Sequence, residues 1–289
     1  MEEAIQFSVA DKKLFGILNT PDSNKLGDSI VLMVTGGPQT RVGSHRLYVQ
    51  LSRYLEKQGV ASFRFDYEGT GDSEGEWVGY RYAGPSIKAA LRYLKSSIHN
   101  YKKIIIWSLC DGATTSILYA AQYPDDVGAM LLCNPYLFNA EGKARTILKY
   151  YYINRLFQKD FWKKVFAFHF NFKDSMDSFK KLLRTSNESN DEPDYTLDKN
   201  FFGLKYEIPI EEVEEALKQL KTEVTFLLST NDLTAKQFED FLKNKNIKHI
   251  IKQIKIQFRY IHNADHTFSD SKSKAKVFET SCSIINSMN

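Results

Sequence analysis

The order of apolar and polar residues predicts strands that alternate with helices. Short apolar runs recur along the chain at Ile5–Val9, Leu14–Leu18, Ile30–Val34, Val60–Phe65, Ile104–Trp107, Val127–Cys133, Val224–Ser229 and Lys252–Phe258. Runs of this kind are typical of strands that are buried on both faces of a parallel sheet. The first two, separated by Asp11–Lys13, instead predict a hairpin at a sheet edge.

Segments with helical spacing of apolar residues follow most of these runs. The predicted helices span residues 44–58, 86–97, 111–123, 211–220, a segment from 234 and 272–285. Ser44 is a suitable N-cap for the first helix. Thr234 and Gln237 form a capping box for the fifth helix, so Asp232 is not needed as its N-cap. The alternation predicts an α/β fold with a mostly parallel, doubly wound sheet.

The composition changes between residues 136 and 206, where aromatic and lysine side chains are dense. An insertion at this place in an α/β chain is expected to lie over the carboxyl ends of the strands, where ligands bind. We therefore expect an α/β core formed by residues 1–135 and 207–289, with an inserted helical cap at 136–206. A subdomain that serves only packing is the alternative, and the two are not exclusive.

Charge and cysteine content argue against several classes of protein. The 39 basic and 35 acidic residues give a net charge of +4, too small to indicate a nucleic-acid partner. Cys110, Cys133 and Cys282 are widely spaced, which predicts neither a metal site nor a disulfide framework and favours a reducing compartment. The N-terminus lacks the apolar core of a signal peptide, and no apolar run approaches the ~20 residues that span a bilayer. These features predict a cytoplasmic protein without stable membrane insertion, and they leave its oligomeric state open.

The segment after Ile104–Trp107 reads Ser-Leu-Cys-Asp-Gly, with Cys110 at its centre. Small residues two positions before and after the centre let a strand pass into a helix through a sharp turn, as in the nucleophile elbow G-x-S-x-G. Such a turn would project the Cys110 sulfur into a cleft at a helix N-terminus, where a thiolate is favoured. It would also leave the Asp111 N–H free to face a developing oxyanion. The alternative is a structural cysteine, buried at the end of a core strand.

A glycine turn and a basic loop follow the run Ile30–Val34. In Thr-Gly-Gly-Pro-Gln, Pro38 has no N–H, so a hydrogen-bond donor from this turn is the amide of Gly37 or Gln39. The loop that follows could hold an anionic group of a substrate. The alternatives are an ordinary turn and a solvated loop with structural ion pairs. The candidate substrate-binding residues of this region are Gln39, Arg41, His45 and Arg46.

Three residues with complementary chemistry follow successive predicted strands in the order Cys110, Asp232, His266. Nucleophile, acid and histidine occur in this chain order in α/β hydrolases. Each lies on the carboxyl edge of the predicted sheet, and this coincidence is more specific than any of the three residues alone. His262 competes with His266, but His266 is better placed because it precedes a loop of small residues that leads into the last helix.

Several segments resemble those of a known family: VTGGPQTRVGSHR, FRFDYEGTGDSEGE, WSLCDGATTS, STNDLTAKQFED and NADHTFS. Together they resemble the exosortase A system-associated hydrolases of type 1, over nearly the whole chain. The resemblance implies an α/β-hydrolase fold, a cysteine at the elbow, and a place beside bacterial exopolysaccharide and protein-sorting genes, but no particular substrate. Dienelactone hydrolase is a more distant relative that also uses Cys, His and Asp. One departure is Ser108, which stands where the elbow usually has glycine.

These residues predict the roles of an acyl-transfer site. His266 would take the proton of Cys110, or hold the pair as thiolate and imidazolium, and Asp232 would orient His266. The N–H groups of Gly37 and Asp111 would form the oxyanion hole, and no metal or organic cofactor is required. A thiol suits an ester, thioester or lactone, offered by a small molecule or by an acyl-carrier-type substrate. The alternatives are an acyltransferase with the same triad and a non-catalytic binding protein that uses the basic loop and the cap.

Overall fold

The computed structural model describes residues 1–22, 27–37, 39–98, 101–137, 208–252 and 254–288, apart from the side chains of residues 245 and 246. The expected helical cap at residues 136–206 lies outside the described residues except for its first two. The two segments expected to form the core, 1–135 and 207–289, are described almost completely.

Eight strands of the described chain form one sheet. Its order is β1-β2-β4-β3-β5-β6-β7-β8, in which β2 is antiparallel to both of its neighbours and all the pairs from β4 to β8 are parallel. The expected hairpin therefore lies at the edge, as β1 and β2. The strands are β1 (Glu2–Val9), β2 (Lys12–Asn19), β3 (Ser29–Val34), β4 (Ala61–Phe65), β5 (Lys103–Leu109), β6 (Ala129–Cys133), β7 (Glu223–Ser229) and β8 (Ile256–Ile261).

Helices cover both faces of this sheet, so successive side chains of a central strand enter two separate cores. In β3, Ile30 and Leu32 pack in one core, whereas Val31 and Met33 pack in the other. The first core includes side chains of α2 to α6, and the second includes side chains of α1 and α7. The helices are α1 (Leu47–Lys57), α2 (Gly84–Ser97), α3 (Asp111–Gln122), α4 (Ile210–Gln219), α5 (Leu233–Leu242), α6 (Lys245–Ile251) and α7 (Ser271–Ser287).

Burial on both faces explains the continuous apolar runs in the sequence. Every residue of β3 and β6 is buried, because neither face of these strands meets water. An alternating pattern would be expected only for a strand with one solvated face. The doubly wound α/β fold with a mostly parallel sheet is thus confirmed.

The first predicted helix begins later than expected. Ser44–Arg46 form a 3₁₀ turn, and α1 begins at Leu47 with Arg46 at its N-cap, so the assignment of Ser44 as the cap was wrong. His45 and Arg46 both have positive φ, 51° and 59°, which no α-helix accommodates. The chain therefore turns sharply before it enters α1.

The last strand also begins later than expected. Residues 252–258 were predicted to be the strand, but β8 spans Ile256–Ile261, and the segment before it forms α6. Ile247 and Ile250, three positions apart, bury their side chains in the same core as α5. This helical spacing is present in the sequence, but the alternation of apolar and polar residues just after it favoured a strand.

The carboxyl ends of the parallel strands meet at one edge of the sheet, and the candidate residues lie there. Strands β3, β5, β7 and β8 end in turn at Val34, Leu109, Ser229 and Ile261. The loops that follow these four ends carry Gly37, Cys110, Asp232 and His266, in that order.

Candidate active site

Cys110 occupies a strained turn between β5 and α3. Its backbone has φ 62° and ψ −131°, a conformation that is rare for a residue with a side chain. Two neighbours fix this turn: the Cys110 N–H donates to the Cys133 carbonyl at 3.0 Å, and the Cys110 carbonyl accepts from the Tyr136 N–H at 3.2 Å. The half-buried thiol therefore stands at the first turn of a helix, as the elbow pattern predicts.

Ser108, the departure from the elbow pattern, is accommodated by a second serine. Its fully buried hydroxyl lies 3.2 Å from the hydroxyl of Ser116 in α3, which also donates to the Gly112 carbonyl at 2.8 Å. The second small position keeps its glycine for a steric reason. A Cβ atom on Gly112 would lie 2.5 Å from the Thr35 carbonyl oxygen, too close for any side chain.

Asp232 and His266 form a close pair beside the elbow. His266 Nδ1 lies 2.7 Å from Asp232 Oδ2. Asp232 is also the N-cap of α5, where its carboxylate accepts the backbone N–H groups of Thr234 at 2.9 Å and of Ala235 at 3.2 Å. The expected capping box of Thr234 was therefore wrong. Asp232 caps the helix and orients the histidine at the same time.

The imidazole of His266 links the acid to the thiol. Because Nδ1 faces Asp232, the other ring nitrogen is left for Cys110, and each of these two groups shifts the pKa of the other. Burial opposes a charge on His266, but hydrogen bonds to Asp232 and Cys110 outweigh that effect and raise its pKa to about 10. An imidazolium held between two acceptors is therefore favoured.

The pKa of the Cys110 thiol is shifted in the opposite sense to the one expected from a helix N-terminus. Burial raises it above the ordinary value, and this effect exceeds the lowering by the hydrogen bond from His266. The expectation that the helix N-terminus favours a thiolate stays a prediction. A protonated His266 is the partner that would favour a thiolate here.

Asn134 is a part of this site that sequence reasoning missed. Its buried amide donates to the His266 carbonyl at 2.8 Å and to the Ser229 hydroxyl at 2.9 Å, and its oxygen accepts the Ser229 N–H at 2.8 Å. This side chain follows β6 and connects the end of β7 to the loop of His266. Its signal in the sequence was only an asparagine directly after a buried strand.

The glycine turn after β3 meets the elbow through Asp111. The Gly37 N–H donates to Asp111 Oδ1 at 2.6 Å, and the Gly112 N–H donates to the same oxygen at 3.0 Å. Gly37 has φ 59°, a conformation that glycine adopts without strain. The use of the Gly37 and Asp111 N–H groups as an oxyanion hole stays a prediction, since a carboxylate oxygen already occupies the Gly37 donor.

Two buried tyrosines donate hydrogen bonds to the backbone that leads into this turn. The Tyr67 hydroxyl donates to the Thr35 carbonyl at 2.9 Å, and the Tyr48 hydroxyl donates to the Val34 carbonyl at 3.2 Å. Burial raises the pKa of both phenols well above the ordinary value, so both act as donors at any physiological pH. The backbone that leads into Gly37 is therefore held rigidly.

The role of the basic loop in substrate binding stays a prediction. Arg41 is bound to the fully buried carboxylate of Asp66 and to Asp72, as the ion-pair alternative expects. Gln39 is exposed and accepts the Ser44 hydroxyl at 3.3 Å. His45 and Arg46 are exposed, and no contact shown here joins them to Cys110. Among the described residues no cluster of side chains is suited to a metal ion, and no helix is long and apolar enough to cross a membrane.

A mostly parallel sheet, a strained turn between a strand and a helix, and an aspartate–histidine pair at the same sheet edge are typical of α/β hydrolases. The sequence model of the alpha/beta hydrolase fold family matches residues 29–229, and the chain belongs to this family. The comparison with curated protein sequences gave no match.

Solved structures of several hydrolases share the fold at low sequence identity. The esterase Pf2001 from Pyrococcus furiosus is 16% identical with a TM-score of 0.61, over 96% of this chain and 89% of the esterase. A dienelactone hydrolase from Anabaena variabilis is 15% identical with a TM-score of 0.59, over 98% and 95%. Est1E from Butyrivibrio proteoclasticus, solved with ferulic acid bound, is 18% identical with a TM-score of 0.60, over 99% of both chains.

Proposed function

We propose that this protein is a hydrolase that cleaves an ester, thioester or lactone through an acyl-thioenzyme on Cys110. The observation that carries the proposal is the chain of contacts from Asp232 through His266 to the Cys110 thiol, at a strained turn before a helix. Strain of this kind is typical of functional positions.

The chemistry follows from the contacts. With the proton of Cys110 already held by His266 as an imidazolium, the thiolate sulfur bonds to the acyl carbon and the carbonyl π electrons move to the oxygen. The imidazolium, stabilised by Asp232, then gives that proton to the departing alcohol or thiol as its bond to the acyl carbon breaks. Water repeats the sequence on the thioester and releases the acid, which restores the thiol.

The nucleophile type selects the substrate class. A thiol exchanges readily with esters and thioesters, which are more reactive acyl donors than amides. The names of the structural neighbours, two esterases and a dienelactone hydrolase, are consistent with this class. The acyl substrate is a small molecule or is presented by a carrier.

The resemblance to exosortase-associated hydrolases adds a setting to the proposal. Those proteins lie beside exopolysaccharide and protein-sorting genes, so we place the acyl substrate in the cytoplasmic steps of such a system. Transfer of the acyl group to an alcohol or amine is the variant of the same mechanism in which an acceptor replaces water. Dependence of the product on an added acceptor would distinguish transfer from hydrolysis.

The proposal is tested by trapping the acyl-enzyme. The protein is mixed with p-nitrophenyl acetate, phenyl thioacetate or dihydrocoumarin, quenched within seconds, and its intact mass is recorded. We expect one acyl adduct on the wild type, none on Cys110→Ala, and an unchanged adduct on the matched control Cys282→Ala.

Two results would contradict the proposal. An adduct that persists in Cys110→Ala places the nucleophile elsewhere. The absence of an adduct with all three reagents, while iodoacetamide still alkylates Cys110, means that the thiol is accessible but not part of an acyl-transfer site. Cleavage of peptides alone would reject the substrate class.

A specific observation also favours a second candidate, a non-catalytic member of the family that binds a ligand. The Gly37 N–H, which an acyl-transfer enzyme needs for the oxyanion, is bound to the Asp111 carboxylate. If that contact were permanent, the oxyanion hole would lack one of its two donors and the barrier would rise by about 3 kcal/mol.

A further inference from the structure

The carboxylate of Asp111 occupies the position where an acyl-transfer site binds an oxyanion. Its Oδ1 accepts the N–H of Gly37 from the turn after β3 and the N–H of Gly112 from the first turn of α3. An N–H group has one proton, so the Gly37 donor cannot bind a substrate oxygen strongly while it binds this carboxylate. The side chain therefore competes directly with a substrate carbonyl.

The glycine turn is shaped around this carboxylate. A Cβ atom on Gly36 would lie 2.3 Å from Asp111 Oδ1, 2.7 Å from the Leu109 carbonyl oxygen and 3.3 Å from the Cys110 Cβ atom. A side chain at position 36 would therefore collide with both the carboxyl group and the backbone of the elbow. The absence of a side chain there lets the acceptor oxygen lie against the backbone, immediately beside the nucleophile.

Burial disfavours the charged form of the Asp111 carboxyl group. Burial raises the pKa of Asp111 to about 6, although the N–H groups of Gly37 and Gly112 act to lower it. The titratable groups that face it are the thiol of Cys110, the imidazole of His266, and the phenols of Tyr48 and Tyr67. Of these, only His266 can supply a positive charge, and it is already engaged with Asp232 and Cys110.

We propose that Asp111 is a gate on the oxyanion hole, which is closed while its carboxylate binds the Gly37 N–H and open when that contact is released. The inference rests on the proposed acyl-transfer function. The released carboxyl group frees the Gly37 donor, and substrate oxygen then binds where Asp111 Oδ1 lay. Protonation of the carboxyl weakens it as an acceptor and so opens the gate.

Two reagents separate the gate from a simple change in thiol reactivity. Acylation by p-nitrophenyl acetate needs both the thiolate and the oxyanion hole, whereas alkylation by iodoacetamide needs only the thiolate. The ratio of the two rate constants therefore cancels any effect of the Asp111 charge on Cys110. We expect this ratio to be at least about 10-fold higher in Asp111→Ala than in the wild type at pH 8, because one oxyanion donor contributes 10²-fold or more.

Two further measurements keep the test decisive if Asp111→Ala does not fold. Asp111→Asn keeps the size and an acceptor oxygen but loses the charge, so its ratio should lie between those of the wild type and Asp111→Ala. In the wild type itself the ratio should rise as the pH falls through about 6, where the carboxyl becomes protonated. Asp125→Asn, the same substitution on the exposed surface just beyond α3, should leave the ratio unchanged.

The outcomes distinguish the gate from the function beneath it. A ratio within two-fold of the wild type in folded Asp111→Ala, or a ratio in the wild type that does not change with pH, overturns the gate and leaves the acyl-thioenzyme intact. A ratio that falls in Asp111→Ala also overturns it, since the carboxyl would then assist the reaction. If no variant is acylated although all are alkylated, the proposed function fails together with the gate.

Discussion

Two aspartates near the thiol lie at the N-termini of two helices, and they differ in the side chains that they contact. Asp111 begins α3 and Asp232 caps α5; both are buried, at 9% and 5% exposure. Each accepts two backbone N–H groups. Asp232 also binds the imidazole of His266, whereas Asp111 faces no cation of its own.

The comparison shows that a helix N-terminus alone does not decide what a carboxylate does. At Asp232 both backbone donors come from its own helix, so the remaining capacity of the carboxylate serves the histidine. At Asp111 one donor, Gly37, belongs to another loop and is the donor that we propose for the oxyanion. In the proposed mechanism the first carboxylate stabilises the charge on His266, and the second occupies a donor that the oxyanion would need.

The same substitution at Asp232 and at Asp111 should have opposite effects on acylation. Asp232→Asn should slow acylation by roughly 10³-fold, because an amide neither stabilises the imidazolium nor holds its tautomer. Asp111→Asn should not slow it, and after normalisation to alkylation it should be faster than the wild type. Rate constants with p-nitrophenyl acetate at pH 8 give both values. A loss of similar size at both positions would show that the two carboxylates serve one role.

The closeness of Asp232 and His266 could be predicted from the chain, because both follow apolar runs and lie on one edge of a parallel sheet. The side chain of Asp111 could not be placed in this way. Its sequence position fixes where its N–H points, but its carboxyl direction depends on a space left by Gly36, 75 positions earlier in the chain. Such long-range complementarity leaves no local pattern.

The same distinction explains the errors at two helix starts. Thr234 has the residue type of a cap, and Gln237 has the right spacing, but Asp232 is the stronger acceptor and reaches the free N–H groups first. The loop before α1 contains two residues with positive φ, His45 and Arg46, and neither belongs to the types that usually signal such a turn. At both helix starts the N-cap is therefore a different residue from the one predicted, Arg46 for α1 and Asp232 for α5.

A third aspartate, Asp66, has a cationic partner, which Asp111 lacks. Asp66, whose side chain is fully buried, binds both the guanidinium and the backbone N–H of Arg41. Arg41→Gln should lower the free energy of unfolding by about 3 kcal/mol, since it leaves a buried carboxylate without its partner. Urea denaturation measures the loss, and Arg46→Gln, an exposed change of the same kind, should cost almost nothing. A large rise in KM without a loss of stability would instead make Arg41 a substrate contact.

Because Asp111 has no cationic partner of its own, we also expect the stability of the protein to depend on pH. Its pKa in the folded protein is raised to about 6 from 3.8, so its contribution to stability is fully present below pH 3.8 and is lost as the pH rises through 6. Asp111→Asn removes that loss and should stabilise the protein by about 2 kcal/mol at pH 8, with a gain well under 1 kcal/mol at pH 4. Urea unfolding at the two pH values checks the difference. A variant that is less stable than the wild type at pH 8 would mean that the hydrogen bonds to Gly37 and Gly112 outweigh the burial of the charge.

Asn134 holds the loop of His266 in place, and we expect its substitution to reduce the acylation rate less than that of Asp232 does. Asn134 binds the His266 carbonyl and the end of β7, so its loss should let the histidine move relative to the thiol. Asn134→Ala and Asn134→Gly should both slow acylation by about 10-fold, a typical consequence of misplacing a general base slightly. Because position 134 has φ 42°, alanine also adds backbone strain that glycine avoids.

The two variants therefore separate orientation from strain. Their acylation rates should agree, while the free energy of unfolding should be lower for Asn134→Ala than for Asn134→Gly by about 1 kcal/mol. Alkylation by iodoacetamide should slow in parallel with acylation, because Cys110 depends on His266 for its thiolate. If Asn134→Gly keeps the wild-type acylation rate, the amide supports only the fold, and the histidine is held by Asp232 alone.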